Sequence, residues 1–331
     1  MTERLRVVIV GLGVVGKSLC KILSKGDFGV DVVAAADRRS SVVASGGLDL
    51  EKVLLRKERT GLVGTRKSLG SEEVISDWEF DALVELTPAN PENAEPGLSH
   101  IRSALSAGRH VVTASKMPLA LHFSDLKRRA KAKGLILKYG ACVGGGIPIL
   151  EFGDACADAE PVIRIEGILN ATSNFILSRM EQNGNNFGEA LQRARALGYA
   201  EADPWLDVDG VDAAAKIVIL ANHVLGTAFA LKDVKPLDGI RELSGTRIAE
   251  GRKSGRRVRS LAIYDKKLHV RIADMPSDDP LCVSGAWNAV RFFCADSGER
   301  VVSGPGAGGA TTARAVLRDL ASIRAQIQGL N

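Results

Sequence analysis

No apolar run in this chain approaches the roughly 20 residues that a membrane-spanning helix needs, and the opening MTERLRVVIVGLG lacks the hydrophobic core and small-residue cleavage site of a secretory leader. These absences speak against a membrane partner and for a cytoplasmic protein. Cysteine is scarce: Cys20, Cys142, Cys156, Cys282 and Cys294 are odd in number, widely spaced and without a CxxC pair, so buried free thiols are expected rather than a disulfide framework or zinc ligands. Aromatic residues make up only 5% of the chain and none interrupts the dense basic run RKSGRRVR at 252–259. Such a run reads as a solvated loop. With no rings to stack bases, nucleic-acid binding is the minor alternative. Low-complexity tracts and internal repeats are absent too.

What is present is an ordinary globular composition, 45% hydrophobic and 25% charged over 331 residues with a net charge of +5, enough for about two domains. The β-rich run at 6–10 ends in GLGVVG, residues Gly11, Leu12, Gly13, Val14, Val15 and Gly16, before a helical pattern. Glycines at these positions let the backbone turn tightly and approach a pyrophosphate, while the following helix offers free amides and a positive dipole. A second strand ends at Asp37, near the spacing of about 20 residues at which a ribose-binding acid is expected. Asp37 suits an unmodified ribose. Arg38, Arg39 and Lys57, on an expected helix from Asp49, suit a 2'-phosphate instead, so NADP is favoured and NAD stays open; plain surface charge is the other reading of these three bases.

The α/β rhythm continues through a strand at 81–86, a loop at 87–93, a helix at 94–107 and strands at 110–113 and 135–139. Loops at the carboxyl ends of parallel strands line the ligand crevice, which puts Thr87, Pro88 and the TASK segment with Ser115 and Lys116 at the nicotinamide end. Lys116 becomes a candidate functional lysine, against the ordinary reading of a lysine on a surface loop. The fold expected is a doubly wound, Rossmann-type parallel sheet over 1–140 plus 305–331, with a second, α+β domain over 141–304 carrying an open mixed or antiparallel sheet. The glycine loop at 304–309 either returns to the cofactor or is a plain tight turn.

In that second domain GYAEADPWLDVDGVDAAAKIVIL at 198–220 sets five acids before a lone lysine. Asp209 is placed as a helix N-cap, with Asp212 at the third helical position and Lys216 on the same face four residues on; Glu201, Asp203 and Asp207 precede them in a loop. Carboxylates facing an ammonium can hold a substrate's amino group and move a proton at a carbonyl or hydroxyl carbon. Acids at a helix start with an i, i+4 partner are also ordinary surface stabilisation, and this stretch alone does not separate the two.

The ordered segments GLGVVG, VELTPAN, GRHVVTASK, VGGGIPI, GILNATSNFIL, LGYAEADPWLDVDGVDAAAK and SGPGAG resemble the homoserine dehydrogenases, above all their short forms, over nearly the whole chain. The resemblance implies reversible reduction of L-aspartate 4-semialdehyde to L-homoserine with NAD(P)H, on the way to threonine, methionine and isoleucine. It implies proton transfer by Lys216, a second lysine at the cofactor and substrate junction in Lys116, and substrate contacts from Gly198, Tyr199, Glu201, Asp207 and Asp212. Gly306 and Gly308 match the carboxyl-end cofactor loop, and a homodimer through the second domain's sheet is implied. Three positions depart from the pattern: Ser115 replaces an asparagine, Ala171 a glycine, and Gly140 a glutamate that commonly helps bind sodium, leaving the carbonyls of Val143, Gly145 and Ile147 as the remaining ligands for such an ion. A single helix follows the glycine loop, without an appended regulatory or kinase domain. The rival readings are a dehydrogenase of another amino-acid aldehyde or imine, and a non-catalytic dinucleotide-binding paralogue.

An ordinary lysine titrates near ~10.4 and neighbouring acids favour its charged form, which suits a proton donor for reduction and not the base needed for oxidation. Homoserine oxidation is therefore expected to accelerate from neutral towards alkaline pH. A pH-rate profile flat up to about pH 10 would contradict a lysine base.

Overall fold

The computed structural model describes residues 4–65, 70–88, 90–201 and 203–329. The chain divides into two compact units, Met1–Cys142 with Gly308–Asn331, and Val143–Ala307.

The first unit opens with β1 (Leu5–Val10), α1 (Val14–Leu23), β2 (Val30–Asp37), β3 (Ser40–Val43), α2 (Leu50–Thr60) and α3 (Ser71–Asp77). It continues with β4 (Ala82–Glu85), α4 (Gly97–Ser106), β5 (His110–Thr113), α5 (Lys116–Ala132) and β6 (Leu137–Lys138). The sheet order is β3-β2-β1-β4-β5-β6, parallel throughout except for β3, which turns back antiparallel on β2. Its central strands read as apolar runs because both faces are covered; Val7, Val8, Ile9, Leu83 and Val84 are all fully buried. Asp49 caps α2 by accepting from the Lys52 amide, and Gly61 (φ 71°) ends it in the left-handed region. The sheet therefore follows the expected plan. The helix expected from residue 94 begins at Gly97, and the strand expected at 135–139 is only Leu137–Lys138.

The second unit contains α6 (Ile149–Ala159), β7 (Val162–Ile168), α7 (Ala171–Asn183), α8 (Phe187–Ala196), α9 (Trp205–Val208) and α10 (Val211–Leu225). After these come β8 (Val234–Leu237), α11 (Gly245–Lys253), β9 (Arg256–Tyr264), β10 (Leu268–Pro276), β11 (Trp287–Cys294) and β12 (Gly298–Pro305). The chain closes with α12 (Gly309–Ile327), which rejoins the first unit. The second sheet has the order β12-β11-β7-β9-β10-β8 and is antiparallel except for the β8–β10 pair. Helix α6 packs on Phe292 of β11 and on α10: a Cβ on Gly153 of α6 would lie 2.6 Å from Val224 Cγ2 and 3.1 Å from Phe292 Cε1, so only glycine lets the helix approach its neighbours this closely.

Two expectations about this unit are corrected. The basic run at 252–259 is the end of α11 and the start of β9, not a loop. Strand alternation carries Arg259 inside, fully buried, with its Nη2 2.9 Å from Glu181 Oε2. Asp209 does not cap α10. Gly210, at φ 80°, occupies the N-cap, and the Asp209 carboxylate instead accepts from Arg241 Nη2 at 2.9 Å. The five cysteines are free, four of them buried, and burial pushes the Cys20 thiol up to about 12.

Truncating Phe292 would leave a cavity between α6 and the sheet. Phe292→Ala is expected to lose about 3–5 kcal/mol, read as a lower denaturant midpoint at unchanged slope; a loss under about 1 kcal/mol would show that the helices collapse into the space.

Candidate active site

In the first unit the glycine turn is built by backbone contact. Gly11 stands at φ 100°, and a Cβ there would lie 2.7 Å from the Leu86 carbonyl carbon; one on Gly16 would lie 2.2 Å from the Gly11 oxygen. Strand and helix can meet this closely only without side chains. A Cβ on Gly13, by contrast, meets nothing within 4 Å, and no side chain caps the first turn of α1. The turn thus offers open space over a helix N-terminus, a fit for the pyrophosphate of a dinucleotide. Leu12 is buried, whereas Val14 is exposed beside this space and Val15 packs against the core. Gly309, at the start of α12, packs on α1: its Cβ would lie 2.6 Å from Val14 Cγ1. Gly308, before it, stands at φ 132°.

Asp37 ends β2 with its carboxylate engaged. Oδ1 accepts from the amides of Arg39 (2.9 Å) and Ser40 (3.1 Å), and Oδ2 pairs with Lys57 Nζ, which also donates to the Gly61 carbonyl at 2.9 Å. Lys57 therefore neutralises Asp37, while Arg38 and Arg39 stay exposed. At the end of β4 the fully buried Glu85 accepts from the amide and hydroxyl of Thr87 and lies 3.2 Å from His100 Nδ1, whose Nε2 is 2.8 Å from Ser71 Oγ. Thr87 is half-buried and Pro88 exposed; Ala89, in the same loop, lies outside the described residues. Sequence reading missed this relay, whose signal is an acid at the end of an otherwise apolar strand. Ser115 is the N-cap of α5 and Lys116 its first residue, so the lysine opens a helix rather than lying on a loop. The Ser115 hydroxyl is buried without a hydrogen-bond partner among the described residues.

In the second unit the acids and the lysine do come together, around an asparagine that sequence reading passed over. Asn170 caps α7 by accepting from the Ser173 amide at 2.7 Å, and its Nδ2 donates both to Asp207 Oδ1 (2.6 Å) and to Asp212 Oδ2 (2.8 Å). Lys216 Nζ lies 2.6 Å from Asp212 Oδ2 and donates to the Leu169 carbonyl at 2.7 Å. Lys216 and Asp212 are each only 7% exposed, which separates them from a surface i, i+4 pair. The third ammonium proton has no partner among the described residues. Burial, and next the charge of Asp212, raise the proton affinity of Asp207 above that of an ordinary aspartate; Asn170 and Lys216 oppose this. The only advance signal for Asn170 was its place as an N-cap residue before an apolar helix.

The remaining expected residues take less central places. Glu201 and Asp203 are exposed, and Ala202 between them lies outside the described residues. Gly198 turns the chain at φ 76°, the Tyr199 carbonyl accepts from Thr172 Oγ1 at 2.6 Å, and the Tyr199 ring packs 4.9 Å from that of Phe175. Ala171 is buried as the first residue of α7. At the expected sodium position Gly140 brings no carboxylate of its own; its amide donates to Asp319 Oδ2 at 2.9 Å, and the Ile147 carbonyl accepts from the Ile149 amide at 2.9 Å. Val143 and Gly145 are buried in the same turn. Gly306 lies in the last loop of the unit, against Asn288.

A parallel sheet with a dinucleotide turn, in a chain that also buries a lysine among carboxylates, defines a nicotinamide-nucleotide-dependent oxidoreductase of a small substrate. Comparison with known proteins narrows the class. The family model for homoserine dehydrogenase matches residues 148–321, and that for the homoserine dehydrogenase NAD binding domain matches residues 11–139. A homoserine dehydrogenase of Methanocaldococcus jannaschii is 39% identical, the match covering 96% of this chain and 98% of the relative. An NAD(+)-dependent homoserine dehydrogenase of Pseudomonas canavaninivorans is 36% identical over 98% and 97%. The crystal structure of homoserine dehydrogenase from Thermoplasma acidophilum superposes with a TM-score of 0.84 at 30% identity, over 96% of this chain and 98% of that one. The chain belongs to the homoserine dehydrogenase family, NAD(P)-dependent oxidoreductases acting on a CH–OH group.

Because its folded-state pKa is raised, Asp207 contributes stability that is present below the unfolded value and lost as pH rises through the folded one. Its ionised form is a burden on the fold. Asp207→Asn is expected to raise Tm at neutral pH and to raise KM for homoserine while leaving that for the oxidised cofactor alone. An unchanged homoserine KM would remove Asp207 from substrate binding.

Proposed function

We propose that the chain interconverts L-aspartate 4-semialdehyde and L-homoserine with NADPH preferred to NADH, and that Lys216 moves the proton. The observation that carries this reading is the buried ammonium with two protons held, by Asp212 and the Leu169 carbonyl, and one without a partner among the described residues. When bound, the dihydronicotinamide supplies the hydride to the aldehyde carbon. Lys216 gives its unpartnered proton to the oxygen that gains charge, and in the oxidative direction the neutral amine takes the hydroxyl proton. Lys116, at the N-terminus of α5, orients and polarises the carbonyl. Asp207, Asp212 and Glu201 receive the substrate's ammonium, with Gly198 and Tyr199 bordering it.

Cofactor preference rests on the rim of β2. Lys57 cancels the charge of Asp37, and Arg38 and Arg39 remain exposed to meet a 2'-phosphate. A hyperthermophilic archaeal homoserine dehydrogenase, 29% identical with a TM-score of 0.84 over 96% of both chains, was solved in complex with NADPH, whereas the Pseudomonas relative is NAD(+)-dependent. A cytoplasmic location and a homodimer through the second unit's sheet belong to the same reading. No described helix is long and apolar enough to cross a membrane, and Ile163 on β7 is 57% exposed.

Initial rates with aspartate 4-semialdehyde against NADPH and NADH test reaction and preference together. NADPH is expected to give the higher kcat/KM, and the double variant Arg38→Ala, Arg39→Ala to lose that preference through the NADPH KM. Lys216→Ala is expected to lose about 100- to 10,000-fold in turnover with cofactor binding intact. Turnover near the parent's in that variant would end the assignment of the proton to Lys216.

A further inference from the structure

Asn288 has no part in the reading above, yet it touches the group that positions the lysine. It is fully buried on β11, and its Nδ2 donates to the Leu169 carbonyl at 2.9 Å. That is the oxygen to which Lys216 Nζ donates at 2.7 Å. A carbonyl oxygen has two lone pairs, and with both occupied this peptide plane is fixed. The same peptide leads into Asn170, which holds Asp207 and Asp212. On its other side the Asn288 carboxamide abuts the loop after β12: a Cβ on Gly306 would lie 1.9 Å from Asn288 Oδ1. Gly306 is not among the glycines at positive φ, so the carboxamide and not the backbone reserves that position for glycine. Oδ1 itself is buried with no hydrogen-bond partner among the described residues. A half-satisfied buried amide costs stability, which points to a purpose other than stability.

We infer that Asn288 is a positioning residue for proton transfer: it holds the Leu169 carbonyl in the orientation that receives the Lys216 ammonium, and through Gly306 it ties that orientation to the 304–309 loop. The inference rests on Lys216 as the proton-transfer group. The charged groups facing Lys216 are Asp212 on α10 and Asp207 on α9, while the end of β7 and β11 bring the neutral Leu169 and Asn288. Without Asn288 the carbonyl is free to tilt, and an ammonium that loses an acceptor gives up its proton more readily.

The test is the pH-rate profile of homoserine oxidation by the full chain, for the parent, Asn288→Ala, Gly306→Ala and the double variant, with both KM values. Asn288→Ala is expected to lower kcat about 10- to 100-fold and to move the alkaline rise to lower pH, with the KM for the oxidised cofactor unchanged. Gly306→Ala, whose new methyl displaces the carboxamide, is expected to move the rise the same way, and the double variant to move it no further. A slower Asn288→Ala enzyme with the parent's profile would make the residue merely structural and overturn the inference, as would additive shifts. Should Asn288→Ala not fold, Asn288→Ser, too short to reach Leu169, and Gly306→Ala decide on the same profile. Lys216→Ala keeps the two readings apart: if it stays active the proton assignment fails, and if it is inactive while Asn288→Ala keeps the parent's profile, only the role of Asn288 fails.

Discussion

The structure of the second unit turns on a single ammonium group kept inside protein. Taking Lys216 out of water carries a desolvation cost of several kcal/mol, and what offsets it is a carboxylate at 2.6 Å and a carbonyl at 2.7 Å. Neither partner is placed by its own element alone. Asp212 is fixed by Asn170, Asn170 by its capping of α7, and the Leu169 carbonyl by Asn288. Two elements far apart in sequence, α7 and α10, thus have to pack correctly before the charge can be tolerated. The charge in turn penalises any other packing.

The second carboxylate shows what that arrangement costs. Asp207 shares the Asn170 amide with Asp212, so two acids stand on one donor with one lysine to balance them. Burial and like charge hold its proton affinity up. A second, half-buried acid beside the first adds to the cost of the arrangement.

Legibility from the sequence followed the range of the interaction. The parallel sheet was readable because two-sided burial writes itself as apolar runs such as VVIV and ALV, and the glycine turn because its glycine spacing is local, although Gly11 answers to Leu86 beyond β4 while Gly16 answers to Gly11. Lys216 with Asp212 was readable because helical spacing is local. Asn170 and Asn288 were not, since their partners lie 37 to 119 residues away. The 252–259 run was misread for the same reason: charge density suggests solvent, and the distant Glu181, with the Val258 carbonyl, makes a buried Arg259 acceptable. The cap expected of Asp209 fell instead to Gly210, which supplies φ 80°.

The rim of β2 shows how a distant contact changes what an acid can offer. An acid at the end of the second strand ordinarily accepts from ribose hydroxyls and repels a 2'-phosphate. Here Asp37 spends one oxygen on the amides of its own turn and the other on Lys57, twenty residues on and on a different element. With that charge cancelled, what the rim presents is the pair of exposed guanidinium groups at 38 and 39, and their field is positive. The acid then serves as a scaffold for the turn that displays the arginines. The same residue that would meet an unmodified ribose in the linear sequence is already engaged once Lys57 has folded onto it.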